Sequence, residues 1–203
     1  EAPPPDGAWA QFPSFAKANN LDVKKVKVEP VGFPTREPML AEGKVDAVTG
    51  YSFSSYLNLA RLGVPESDIS TILMADYGLK LYGNAIIVNT DYAAKNRSVV
   101  KSFLKAVGEG WKAAIASPAE AIKSLKKRNP AASVELEEKR LKLAIEANVL
   151  TDYVKKNGMG MIDTARFAAS INQLSETYKY KNKPQAKMYF TNSYLPASGF
   201  PLK

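Results

Sequence analysis

The chain has 203 residues, 45% of them hydrophobic, and a formal charge of +8. That length supports one large domain or two small ones at roughly 100–200 residues each, with a core of real size. Neither cysteine nor histidine occurs, which excludes disulfides, zinc–thiolate sites and cysteine nucleophiles, and with them the Ser-His-Asp triad, imidazole general bases and most catalytic zinc sites.

No apolar run approaches the roughly 18 residues of a membrane-spanning helix. The lysines are spread along helical stretches (Lys101, Lys105, Lys112, Lys123, Lys126, Lys127) rather than massed with aromatic residues. Scattered charge of this kind solvates a surface and leaves a modest bias toward anionic ligands; no nucleic-acid partner is expected. The chain opens on Glu1-Ala-Pro-Pro-Pro, and the expectation is that a preceding segment has been removed.

Ala2–Pro5 reads as extended, because proline fixes φ and biases its predecessor. Asp6-Gly7 is a turn, and Ala8–Ala18 a helix with Trp9, Phe12, Phe15 and Ala16 inward. The amides of Gly7, Ala8 and Trp9 make a helix start suited to an anion; the plain alternative is an Asp6 cap with Trp9 in the core. Val23–Val28 alternates apolar and charged residues, as a strand does. Thr35 is a candidate N-cap for the next helix, with Pro38 tolerable in its first turn. Arg36 lies at that start, either as a fork for a carboxylate or sulfonate or as a partner of Glu37 or Asp46.

Gly43 is a natural helix stop. Val45–Val48 then has the size of a buried strand. Thr49-Gly50-Tyr51-Ser52 leaves it, with Ser52 or Ser54 available to cap the following helix. Ile69–Ala75 is a further strand, followed by Asp76-Tyr77-Gly78, where Tyr77 is a site wall or a surface tyrosine. Asn84–Val88 is the last strand expected.

Helix signals dominate from Asp91. Val100, Phe103, Leu104, Val107, Trp111, Ala114 and Ile115 form one wide apolar stripe. Ser117-Pro118-Ala119-Glu120 reads as a capping box with proline at the first helical position. Ser133 and Asp163 cap later helices, the second carrying Phe167, Ile171, Leu174 and Tyr178 on one face. Thr151–Val154 extends a helix or forms a separate turn, and residues 179–203 are mostly irregular. Val100, Phe103, Val107 and Trp111 are expected to be partly bare, since only Asn84–Val88 is available as sheet to cover them.

The stretch "MLAEGKVDAVTGYSFSSYL" resembles the second-lobe signature of the periplasmic substrate-binding proteins of ABC importers, in the nitrate/sulfonate/taurine branch related to the thiamine-pyrimidine synthases. The resemblance continues through "PPPDGAWAQFPSFAKANNLD", "LMADYGLKLYGNAIIVNTDYAAKN" and "DTARFAASINQLSETY", covering nearly the whole chain. It implies an α/β, type II periplasmic-binding-protein-like two-lobed fold lacking its N-terminal part. Residues 1–83 would form an α/β ligand-binding lobe with a mainly parallel sheet, and residues 84–203 a helix-rich portion of the other lobe. Leu79–Asn84 would be a hinge crossing.

In such a sheet Asp6–Trp9, Gly32–Arg36, Thr49–Ser52 and Asp76–Gly78 share the edge at which ligands bind. The expected ligand-binding residues are Asp6, Gly7, Ala8, Trp9, Phe33, Arg36, Thr49, Gly50, Tyr51, Ser52 and Tyr77. Two alternatives stay open: Ser52 merely caps its helix, and Tyr51 packs in the core. The loops supply donors, hydroxyls, an arginine and aromatic walls, but no nucleophile with its base.

The expectation is a monomeric receptor, without cofactor or metal and not an enzyme. It would hand a small anionic or flat aromatic/sulfonate-type ligand to an ABC permease in the inner membrane. The resemblance implies a periplasmic or membrane-anchored extracytoplasmic location. The alternatives are an enzyme of the thiamine-pyrimidine synthase-like class and a ligand-sensing domain without a transporter. The synthases consume a histidine and carry a cysteine-rich motif, and this chain has neither residue.

Overall fold

An α-helix pairs its own backbone groups and forms without a neighbouring strand, whereas a β-strand leaves half of its groups for a partner. That difference decides this structure, a computed structural model describing residues 6–182 and 184–202. The extended reading of Ala2–Pro5 falls outside these residues. Helix makes up 60% of the structure and strand 1%, and there is no sheet among the described residues. The expected α/β, type II periplasmic-binding-protein-like fold is therefore wrong, and with it the parallel sheet and its common edge.

Nine α-helices occur among the described residues: α1 (Gly7–Ala18), α2 (Phe33–Ala41), α3 (Ser52–Arg61), α4 (Thr90–Lys95), α5 (Arg97–Ala116), α6 (Pro118–Arg128), α7 (Val134–Ala144), α8 (Asp152–Asn157) and α9 (Thr164–Thr177). None of the described helices is long and apolar enough to cross a membrane. The four expected strands are missing for one reason. Val23–Lys25 is a 3-10 turn whose flanking valines stay exposed. Residues 45–48 and 69–73 carry no strand pairing, and Met74–Tyr77 is a further 3-10 turn. Residues 84–88 are also unpaired, with Ile87 91% exposed. Alternation and β-branching state that a segment would suit a pleated, half-buried surface; they do not provide the strand beside it.

Local helix signals fare better. Gly43 takes φ +68° just past α2. Its amide donates to the Leu40 carbonyl at 3.0 Å, and that of Lys44 to Met39 at 2.9 Å. These are the paired bonds of a Schellman stop, in which a positive φ favours glycine. Ser133 caps α7, Thr151 caps the separate α8, and Asp163 Oδ1 accepts from the Arg166 amide at 2.7 Å. Two expected caps are not made. Gly32, not Thr35, precedes α2, and Ser117 makes no side-chain cap bond to α6, although Pro118 does open that helix.

The chain divides into two compact units. The first takes the described chain up to Leu81 together with Ala168–Pro184. In it α1 lies against the later part of α9. The Ser14 and Thr177 hydroxyls are 2.7 Å apart, Lys17 Nζ pairs with Glu176 Oε2 at 2.9 Å, and the Tyr178 hydroxyl donates to the Ala10 carbonyl. Gln173 holds the approach to Leu81 from both sides, accepting from the Lys80 amide at 2.8 Å and donating to the Gly78 carbonyl at 2.7 Å. Ala16, Leu57, Leu59, Leu79 and Ile171 are the buried apolar centre.

The second unit is Tyr82–Phe167 with Gln185–Lys203. Helices α5, α6 and α7 pack in succession, and a π-helical turn, Ile145–Val149, continues α7. Met159 and Phe200 exchange both backbone hydrogen bonds, at 2.8 and 2.9 Å. Tyr82, Phe167 and Phe190 form a run of rings. Val100 is buried while Phe103 is 56% exposed, and Val107 and Trp111 are half-buried, so the apolar stripe of α5 is only partly covered.

Candidate functional site

Asp6 precedes α1 in extended conformation, and its Oδ1 accepts from the Ala8 amide at 3.0 Å. One of the otherwise unpaired donors of the helix start is thereby satisfied. Its Oδ2 accepts from the Thr49 hydroxyl at 3.1 Å and lies 3.6 Å from Arg36 Nη1. From the other side of the guanidinium, Nη2 and Nε both donate to Glu37 Oε1, at 2.6 and 3.2 Å. Nη2 also donates to Ser55 Oγ at 3.2 Å, and Ser55 itself donates to Glu37 Oε1 at 2.7 Å. Asp6, Arg36 and Glu37 are only 8%, 6% and 3% exposed.

Three separate stretches thus meet at one buried charge cluster. Charges this deep stay ionised only when paired and hydrogen-bonded. Burial alone would push the Glu37 carboxyl up; the hydrogen bonds from Arg36 and Ser55, with the Arg36 charge, outweigh it and hold the group below the usual carboxylate range. Gly50 lies over the cluster. A Cβ built there would fall 2.4 Å from Ser55 Oγ and 2.9 Å from Arg36 Nη2, so the backbone passes where a side chain would not fit.

Of the residues singled out from sequence, the structure gathers Asp6, Ala8 through its amide, Phe33, Arg36, Thr49 and Gly50. The Phe33 ring lies 5.6 Å from the guanidinium carbon and remains about half exposed. Gly7 is the exposed first residue of α1. Trp9 stacks on Phe12 at 5.1 Å, Tyr51 on Phe53 at 5.4 Å, and Tyr77 meets Phe15 edge-on at 6.4 Å. Tyr51 is 52% exposed, so it does not pack in the core. Ser52 is the first residue of α3, whose start has no side-chain cap bond, so Ser52 does not cap it.

Arg36 takes the internal alternative, with Glu37 and Asp6 as partners, while Asp46 is exposed. Ser55 was missed: its place beside Arg36 follows from the register of α3 and from how α2 packs on it, neither of which leaves a local signature.

The first unit also has a cavity of about 500 Å³ lined by Asn172, Ser175, Glu176, Lys179 and Tyr180. None of these was anticipated as a ligand-binding residue. In the second unit, Tyr82 accepts from the Asp163 amide at 2.9 Å and lies under the Arg166 guanidinium. Burial, then the nearby Tyr82 and Asp163, push the Tyr153 hydroxyl up.

A family model described as NMT1/THI5 like matches residues 5–121. The chain belongs to the NMT1/THI5-like family. That family includes solute-binding receptors and thiamine-pyrimidine synthase-like proteins. No curated protein matches the chain. The NMT1/THI5-like match includes α1, α2, α3 and every member of the charge cluster.

Proposed function

We propose that this NMT1/THI5-like chain is a solute-binding receptor that captures a small, flat ligand on the extracytoplasmic side and delivers it to an ABC permease. The observation that carries the reading is the meeting of Asp6, Arg36, Thr49 and Gly50 from three separate stretches. A hydroxyl, a carboxylate, a guanidinium and a stretch of bare backbone lie together beside the half-exposed Phe33 ring. Such a set orients a small molecule, and a flat apolar wall with a few placed polar groups is the usual make-up of a ligand site.

The arrangement favours holding over transforming. Its carboxylates are tied to a guanidinium and to hydroxyl and amide donors, so neither is placed as a free general base. The same donors keep Glu37 ionised and occupied.

The test is titration of the purified chain with a panel of small flat acids, sulfonates and amides, followed by melting temperature. Mass spectrometry of the recovered ligand completes it. Binding to the folded state raises stability by about RT ln(1 + [L]/Kd), roughly 2.7 kcal/mol at a hundredfold excess over Kd. A receptor returns its ligand unchanged. A recovered product of altered mass would establish the synthase-like alternative, and tight binding without capture by any permease would establish the sensor.

A further inference from the structure

We infer, independently of the receptor reading and against the expectation of a monomer, that the outer face of α5 is a self-complementary surface on which a second copy of this chain docks antiparallel. One side of α5 is occupied within the second unit, where Val100 and Gly108 are buried. On another, Val99, Phe103, Ala106, Gly110 and Ala113 recur at alternating steps of four and three, and all five are exposed. That rhythm places them on one narrow seam of the helix, the spacing at which two helices interlock their side chains. Val99 is 51% and Phe103 56% exposed. In register with three small residues they form a continuous apolar face, which a lone exposed side chain does not.

Two glycines of α5 show what such a face takes. A Cβ built at Gly108 would fall 2.4 Å from the Phe200 ring, so on the inner side a phenylalanine fills the hollow left by a missing side chain. Gly110 leaves the same hollow with nothing in it: a Cβ there meets no described atom within 4 Å. Phe103, two turns away on the same seam, is a ring without a hollow. Both are fixed in one helix, so they cannot meet within a chain. A two-fold axis passing close to Ala106 lays each Phe103 over the partner's Gly110, and each Val99 over the partner's Ala113. A parallel pair in register would set ring against ring and glycine against glycine.

Charge agrees with the antiparallel order. Lys105 and Glu109 lie on one flank of the seam, with side chains 71% and 68% exposed and a loose 3.7 Å contact between them. Within a helix, lysine four residues ahead of glutamate is the weaker order of the two. The two-fold axis brings the same flank of both copies together in reversed order. Lys105 then faces the partner's Glu109, and Glu109 the partner's Lys105, so opposite charges meet twice.

The seam is about 21 Å long at about 1.5 Å per residue, a small interface that makes a weak dimer. Sedimentation velocity of the intact chain in low salt, from about 1 µM to about 1 mM, is expected to show monomer converting to dimer. Gly110→Gln puts bulk into the hollow and favours the helix. It should weaken the dimer at least about tenfold and leave the melting temperature of the dilute chain equal or higher. Lys105→Glu should also weaken the dimer, more in low salt than in high, and Lys105→Glu combined with Glu109→Lys should restore it. A chain that stays monomeric throughout overturns the inference. A dimer that Gly110→Gln leaves as tight as before uses another surface and overturns it equally. Failure of the double charge swap to restore association overturns the antiparallel order.

Discussion

Arg36 and Glu37 are consecutive in sequence yet face one another: Nη2 donates to Glu37 Oε1 at 2.6 Å, in a pair only 6% and 3% exposed. Adjacent residues on a helix point about 100° apart, so a contact between them uses long side chains curling to one side. Here the curl is completed by Ser55 on α3, which donates to the same oxygen. The pair thereby fastens α2 to α3, and Asp6 extends the fastening to the start of α1.

Removing Glu37 leaves a buried guanidinium short of its main counter-charge, a change that costs about 3–5 kcal/mol in comparable pairs. Asp6 remains 3.6 Å away and offsets part of it, so Glu37→Ala is expected at the lower end, about 3 kcal/mol. Urea unfolding would measure this, and an effect under about 1 kcal/mol would show that the cluster is not holding these elements together.

The pH dependence follows from the same carboxyl. Its pKa is lower folded than unfolded, so it stabilises the protein above the unfolded value of about 4.3. That contribution is lost as pH falls further, through the folded value. Melting temperature followed from pH 7 to pH 3 should drop for the wild type, and Glu37→Gln should flatten the part of the drop that Glu37 supplies. Parallel curves for the two proteins would contradict it.

Gly50 is tested by adding one methyl group. With Ser55 Oγ 2.4 Å and Arg36 Nη2 2.9 Å from the position of a Cβ, Gly50→Ala should cost about 1–3 kcal/mol by overpacking. Ser55→Ala removes the nearer atom, so the double variant should be more stable than the sum of the two single losses predicts. Strict additivity would mean that the two residues do not touch.

How much of this was legible in sequence depended on how local each signal was. The Gly43 stop, the Ser133 cap and the α9 face are written within a few residues, and they are present in the structure. The strands were read from residues 23–28, 45–48, 69–75 and 84–88 alone, and a strand is a relation between two segments. The site has the same divide. Thr49 and Gly50 stood out as a small-residue loop, and Asp6 as a cap. That Arg36 would turn inward to Glu37 and Asp6 was one of two open readings, because the choice depends on how α2 packs. Ser55 gave no sign, since its role depends on the neighbouring helix.

Asn84–Val88 gives the sharpest test of the missing sheet. The sequence N-A-I-I-V would be a buried strand in an α/β lobe, and Ile87 there would lose about 2–5 kcal/mol on truncation to alanine. In the structure Ile87 is 91% exposed and Ile86 55%, without strand pairing. Surface substitutions away from caps, ion pairs and core contacts fall within about ±0.5 kcal/mol. Ile87→Ser is therefore expected to leave the urea midpoint of the monomeric chain almost unmoved. It should also raise solubility, because a run of β-branched residues without charge is a site for edge-to-edge association. A loss above about 2 kcal/mol at low protein concentration would show Ile87 to be buried. A loss that appears only at high concentration would show instead that the segment is covered by a second copy of the chain.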